Sequence, residues 1–333
     1  MQNVLSYLLY ENILRAKYTY APKVFTCKNK LKHLSCALLA ALMLIASLAA
    51  AAFAETDGTI SVATAEQFTD AVANTSAPCI QLTADIDLTG AGVLNVSSRT
   101  IDLNGQKLSA NNFSLIFEGI NFTIKNGTLD SKGGAYALFI GDEGTTDNVV
   151  IDSVTLSGGV NVYNAHNVTL KNTTVTGTAY YAIWCDQNGQ VTVESGSFQT
   201  NGVAVIGMSA TESALKIQNG LFQTNGKPLV LKDGDKYNKP VISGSTFDIA
   251  PDKEYYAENS ELIKDENGQF IVCNHSHTEL KNIKEATCTE KGYTGDTYCK
   301  DCGTLLESGS AIEATGEHTD VNNDGKCEPV ATI

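Results

Sequence analysis

The chain has 333 residues, 43% of them hydrophobic and 18% charged, with 28 glycines and a formal net charge of −14. A surface this acidic repels nucleic acid and anionic lipid, so neither is expected as a partner. Nine cysteines also leave open whether thiols, disulfides or a metal site are in use.

Residues 1–54 read as an N-terminal extension and a secretory signal peptide. Lys28, Lys30 and Lys32 lead into an apolar run from Leu34 to Ala52, and Ala52-Phe53-Ala54 has the form of a small-x-small cleavage site. The run approaches spanning length, so a retained anchor competes with this reading. The Ala-rich end and the cleavage site favour removal. Six of the 23 basic residues and one of the 37 acids lie in this segment, which leaves 17 and 36 and a formal charge of −19. The expected product is secreted, extracellular or loosely attached to the cell surface, with no membrane span after cleavage.

The spacing next predicts a strand over Thr59 to Val62 and a short helix over about 64–74. Thr64 and Gln67 have the form of a capping box, and Phe68, Ala71 and Val72 share one side. A solenoid exposes core and strand edges at its ends, and this helix is placed to cover one. Ile80-Leu82, Ile86-Leu88, Val93-Val96 and Ile101-Leu103 read as the first coil strands. Asn104-Gly105 closes a turn one residue out of register with the later coils.

From Ile124 to Val230 one motif recurs: an aliphatic residue, Asn or Ser two positions on, and Leu, Val or Phe at the sixth. The copies are Ile124-Asn126-Leu129, Ile151-Ser153-Leu156, Leu170-Asn172-Val175, Val193-Ser195-Phe198 and Ile217-Asn219-Phe222, with starts 27, 19, 23 and 24 residues apart. That is a solenoid period. A second strand unit follows each copy at Leu138-Phe139, Val162-Tyr163, Ile183-Trp184, Val205-Ile206 and Val230-Leu231. The expected fold is therefore all-β: a right-handed parallel β-helix over 55–250 with an N-terminal capping helix. The recurring Asn and Ser, about 4.8 Å apart along the axis, would hydrogen-bond from coil to coil. The triplets Asn121-Phe122-Thr123 and Asn167-Val168-Thr169 belong to that ladder and are not read as glycosylation signals.

Alternation in the second strands puts Leu138, Val162, Ile183, Val205 and Val230 inside and Phe139, Tyr163, Trp184, Ile206 and Leu231 outside. Three successive outer aromatics would form a strip about 10 Å long. Asp142, His166, Asp186 and Asp233 lie just beyond the strand ends. Aromatic rings edged by carboxylates suit the C–H faces and hydroxyls of a saccharide. Phe139, Tyr163, Trp184 and Asp233 are thus the candidate ligand-binding residues. The competing reading inverts the faces and buries the rings.

Residues 251–273 form a closing segment, with a hairpin of Leu262-Ile263-Lys264 and Phe270-Ile271-Val272 around a type I′ turn at Asn267-Gly268. The stretch ISGSTFDIAPDKEYYAENSELIKDENGQFIV, with the opening TAEQFTDAVAN…IQLTADIDL, resembles secreted right-handed β-helix repeat proteins of gut Firmicutes, with an adhesin-like, pectate-lyase-like superfamily fold. The resemblance covers about 58–272. It implies export and an adhesin-like or glycan-associated role, with polysaccharide or cell-surface glycan as partner.

Residues 274–333 form a Cys/His-rich tail, whose segment HTELKNIKEATCTEKGYTGDTYCKDCGTLLESGSAIEATGEHTDVNNDGKC is similar to small tail repeats in exported clostridial proteins. Cys299-Lys300-Asp301-Cys302 is a Cys-x-x-Cys, and His275, His277, Cys288, Cys299 and Cys302 are the candidate ligands of a structural zinc. Disulfides are the second reading, drawing on Cys273, Cys327, Cys79 and Cys185, and free thiols the third. None of the three implies catalysis, and no catalytic cofactor is expected. Asp320-x-Asn322-x-Asp324-Gly325 starts like a calcium loop, but Ala331 falls where the bidentate acid belongs. The tail could also dock to a protein partner.

The expected function is non-catalytic binding of a polysaccharide or surface ligand. Because the fold also houses pectate lyases and polygalacturonases, a polysaccharide lyase or glycoside hydrolase is the alternative, by fold analogy. Asp142, His166 and Asp186 would then be the catalytic residues. The polygalacturonase signatures are absent, and Arg99, the one arginine beyond residue 54, has no acidic cluster beside it. A structural surface spacer is a second alternative.

Overall fold

The computed structural model describes residues 58–89, 92–111, 115–178, 180–209, 212–232, 237–287 and 290–314. The expected leader, Asp233, Cys288 and the calcium-like turn lie outside these residues. Among the described residues no helix is long and apolar enough to cross a membrane.

The chain is a right-handed parallel β-helix. Each coil supplies two strand segments to a 17-stranded sheet and, through most of the solenoid, one to a seven-stranded sheet. Cα pairing links Ile60, Ile80, Ile101, Ile124, Ile151, Leu170, Val193, Ile217 and Ile242 into one inward column. At the strand spacing of about 4.8 Å, eight steps make a column roughly 38 Å long. The sixth motif position forms a second column of Ile86, Leu108, Leu129, Leu156, Val175, Phe198, Phe222 and Phe247. Its last three rings stack at 5.1 and 5.2 Å. All but Ile60 and Ile86 in these two columns are fully buried, so stacked apolar burial is what holds coil to coil.

The recurring Asn or Ser sits at the corner between the two columns, for a backbone reason. Asn126, Ser153 and Asn172 hold φ of 60°, 58° and 48°, in the left-handed region that Asn tolerates better than most residues. In the next two coils the positive φ moves one residue on, to Gly196 and Gly220. The ladder runs partly as expected. Ser195 Oγ donates to Asn172 Oδ1 at 3.0 Å, while Asn126 and Asn172 donate to Asp102 and Asp152 of the coil before. A second corner carries Asn121, Asn148 and Asn167, also at positive φ, with Asn148 Nδ2 3.1 Å from Asn121 Oδ1. At Asn104-Gly105 the coil carries two extra residues relative to the next, since Asp102 and Leu108 align with Lys125 and Leu129.

The helix spans Ala65–Asn74. Thr64 Oγ1 accepts from Gln67 N at 3.2 Å, and Gln67 Oε1 accepts from Ala63 N at 2.8 Å, one residue earlier than a capping box requires. Phe68, Ala71 and Val72 join the solenoid core. Arg99 then donates to the carbonyls of Ala71, Val72 and Thr75 at 3.0–3.2 Å, meeting both the orphan acceptors and the negative end of the helix.

At the other end the hairpin strand Phe270–Cys273 lies antiparallel to the last coil strand, Gly244–Phe247, and so covers the parallel edge. The hairpin turn differs from the expected type I′. Gly268 has φ of 82° but Asn267 does not share it. Gly268 N bonds Asp265 O at 3.1 Å, and Asp265 Oδ1 takes the amides of Asn267 and Gln269. This is a turn over 265–268 with its glycine in the bulge position, organised by an Asp side chain.

Candidate binding face and candidate metal centre

The outer face of the seven-stranded sheet carries an apolar cluster of its own, separate from the solenoid core. Ala135, Tyr136 and Phe139 are buried in it, and Ile116, Tyr181 and Trp184 pack against it half-buried. Tyr136 is its hub: its ring centroid lies 5.4 Å from Phe139, 5.7 Å from Trp184 and 6.3 Å from Tyr180, and Tyr181 meets Trp184 edge-on at 5.4 Å. Tyr180 is 47% exposed at the rim.

Phe139 and Trp184 lie on the outer row, but the rings collapse on one another and bury Phe139 and Tyr136 instead of forming an open strip. The outer row read from Cα pairing is Ile116, Phe139, Asn161, Trp184, Gly207 and Leu231. Tyr163 also faces outward and is half-buried, but it pairs with Asp186, two positions beyond the row. Ile206 is fully buried in the core, opposite Ile183. The displacement has a local cause. The register shifts at Gly159/Val160, and Ala137-Leu138, Ala182-Ile183 and Val205-Ile206 each send two successive residues into the core. Val160, not Val162, therefore aligns with Leu138.

Sequence alternation misses Tyr136, Tyr180 and Tyr181, and two glycines were their available signal. A Cβ on Gly207 would meet the Tyr181 ring at 3.0 Å, and one on Gly159 would meet Tyr136 at 3.0 Å and the Tyr181 carbonyl oxygen closer still. Glycine within a strand marks such close approach.

Asp142 is half-buried at the corner after the strand Tyr136–Ile140, beside Glu118 and Glu143. Burial, then the charges of those two acids, raises its pKa above the usual carboxylate value. Glu118 Oε1 accepts the amide of Gly144 at 2.7 Å, which folds the corner over it. Asp186 is half-buried and accepts from Gln187 N at 2.9 Å. His166 stands on the other sheet, paired with Asp147. Among the described residues Asp142 and His166 share no hydrogen bond or ion pair. Arg99 is committed to capping the helix.

At the C-terminal end Cys273, His275, Cys299 and Cys302 converge, with one ligand atom from each all within 4.8 Å of one another. Cys273 Sγ is 3.5 Å from Cys299 Sγ, and Cys302 Sγ is 3.4 Å from His275 Nδ1. A disulfide needs about 2.05 Å between sulfurs, and the five described cysteines are all free. Burial pushes the Cys273 thiol up to about 12. Burial also opposes ionisation of Cys302, but hydrogen bonds with Thr304, Cys299 and Cys273 outweigh it and bring that thiol down to about 7. The four residues could hold a metal ion. Of the five expected ligands the structure brings together His275, Cys299 and Cys302, and adds Cys273. It places His277 elsewhere, 70% exposed with Nδ1 2.9 Å from Asp301. Cys288 lies outside the described residues.

Residues 59–211 match a family model described as "Putative pectate lyase-like adhesive domain". No curated protein and no solved structure matches the chain. The matched stretch contains the whole outer aromatic cluster, and the metal cluster lies beyond it.

Proposed function

We propose that the protein is an exported, adhesin-like binding module whose outer aromatic cluster receives a polysaccharide or cell-surface glycan. The observation that carries this reading is the cluster's position. Seven side chains with Tyr180 included, five of them aromatic, stand outside a core that is already complete without them. Exposed apolar surface rimmed by polar residues marks an interaction site, and Tyr180 is the exposed ring of this cluster. Tyr180, Tyr181 and Trp184 leave partly exposed ring area, and Tyr163, Asp186 and Asp142 follow along the same edge. Rings bordered by carboxylates fit a sugar's C–H face and its hydroxyls. The match to an adhesive domain over 59–211 supports binding as the role, and a rigid solenoid holds such a face without reorganisation on binding.

Retention on immobilised polysaccharides tests the reading. Wild-type protein is expected to be retarded on at least one plant or host glycan, and Trp184→Ala and Tyr180→Ala to elute in the void. Equal retardation of both variants would move the site away from this face.

A further inference from the structure

We propose that Cys273, His275, Cys299 and Cys302 bind one zinc ion that clamps the C-terminal module onto the closing hairpin of the solenoid. The distances carry the chemistry. Zinc bonds of about 2.3 Å to sulfur and 2.0–2.1 Å to nitrogen, at tetrahedral angles, set ligand atoms roughly 3.5–3.8 Å apart. The S···S and S···N separations of 3.5 and 3.4 Å match two edges of that tetrahedron. Three thiols and one imidazole make a soft, closed donor set, which selects zinc over calcium or magnesium and leaves no open position for catalysis.

The surrounding contacts are those of a held ligand shell. Glu261 Oε1 lies 2.9 Å from His275 Nε2, which leaves Nδ1 as the metal-facing nitrogen in the usual carboxylate–histidine arrangement. His275 N donates to Cys273 Sγ at 3.4 Å, and Thr304 lies 3.3 Å from Cys302 Sγ. His275 has φ of 55°, which turns the chain back so that two ligands separated by one residue face the same point.

The placement makes the site a clamp. Cys273 ends the strand Phe270–Cys273 and pairs with both Gly244 of the last coil and Glu261 of the hairpin. Cys299 and Cys302 come from the C-terminal module, where Thr278–Lys281 pairs with Asp296–Cys299. Among the described residues beyond 273, Cys299 is the one buried hydrophobic side chain, whereas Leu280, Ile283, Leu305, Leu306 and Ile312 are exposed. A module with no apolar core needs another source of folding energy, and zinc ligation supplies it.

The test uses the full chain purified under reducing conditions without chelator. Elemental analysis is expected to find one zinc per chain, and cobalt exchange to give the visible and thiolate charge-transfer bands of a tetrahedral sulfur-rich site. Cys273→Ser and Cys302→Ser should each lose the metal, while His277→Ala keeps it. Chelation of the wild type should speed amide exchange in 278–281 and 296–299 by on the order of 100-fold or more and leave the solenoid columns protected. Absence of zinc together with no cobalt uptake overturns the proposal, as does one zinc retained in Cys273→Ser. Unchanged exchange in the module after metal removal overturns the clamp. If Cys273→Ser fails to fold, the chelated wild type still decides the matter.

Discussion

Asn161 lies between Phe139 and Trp184 on the outer row of the seven-stranded sheet, matched Cα to Cα with each. It is 2% exposed, and its Oδ1 has no hydrogen-bond partner among the described residues. A buried acceptor left unpaired costs about 1–3 kcal/mol. Asn161→Val keeps the strand and removes the orphan, so denaturant unfolding should show a gain of about 1 kcal/mol. A loss of similar size would mean that the amide is paired in solution.

Arg99 holds the capping helix by three carbonyls. Arg99→Met keeps most of the stem but removes every donor, and is expected to destabilise by about 2–4 kcal/mol. Amide exchange should localise the loss to 65–75 and the first coils.

Phe222 and Trp184 separate core from face. Phe222 is fully buried between Phe198 and Phe247, so Phe222→Ala should cost about 3–5 kcal/mol. Trp184 is half-buried outside the core, and Trp184→Ala should cost clearly less, with glycan retention as the larger effect. Equal stability losses in the two variants would make the aromatic cluster structural.

Asp142 gives the pH dependence. Burial first, then Glu118 and Glu143, raise its folded pKa above 3.8. The folded state therefore favours the protonated acid. That contribution is fully present below 3.8 and is lost as pH rises through the folded value. Asp142→Asn should accordingly raise the melting temperature at pH 7, and the gain should vanish as the pH falls below 3.8. A gain that persists in acid would contradict the assignment.

The columns were legible in the sequence because each motif places an aliphatic residue and a second apolar residue five apart, and only inward-facing positions repeat that way. Thr64 and Gln67 likewise marked the helix start. The outer face was harder to read, since paired inward residues such as Ala137-Leu138 reset the alternation and shifted Tyr163 and Ile206 off the true row. Gly159 and Gly207 held that information, as places where a ring lies on the backbone. In the tail, Cys299 and Cys302 announced themselves by spacing. Cys273 did not, because it closes a strand pattern, although Cys273-Asn274-His275 is itself a ligand pair.

The most direct test of glycan binding at the aromatic face is titration calorimetry of the folded chain against plant and host polysaccharides, with Trp184→Ala alongside. Heat that saturates with added glycan and disappears in the variant is the predicted result. Heat that continues at a steady rate would mean turnover, and would contradict a binding module by turning attention to Asp142, His166 and Asp186.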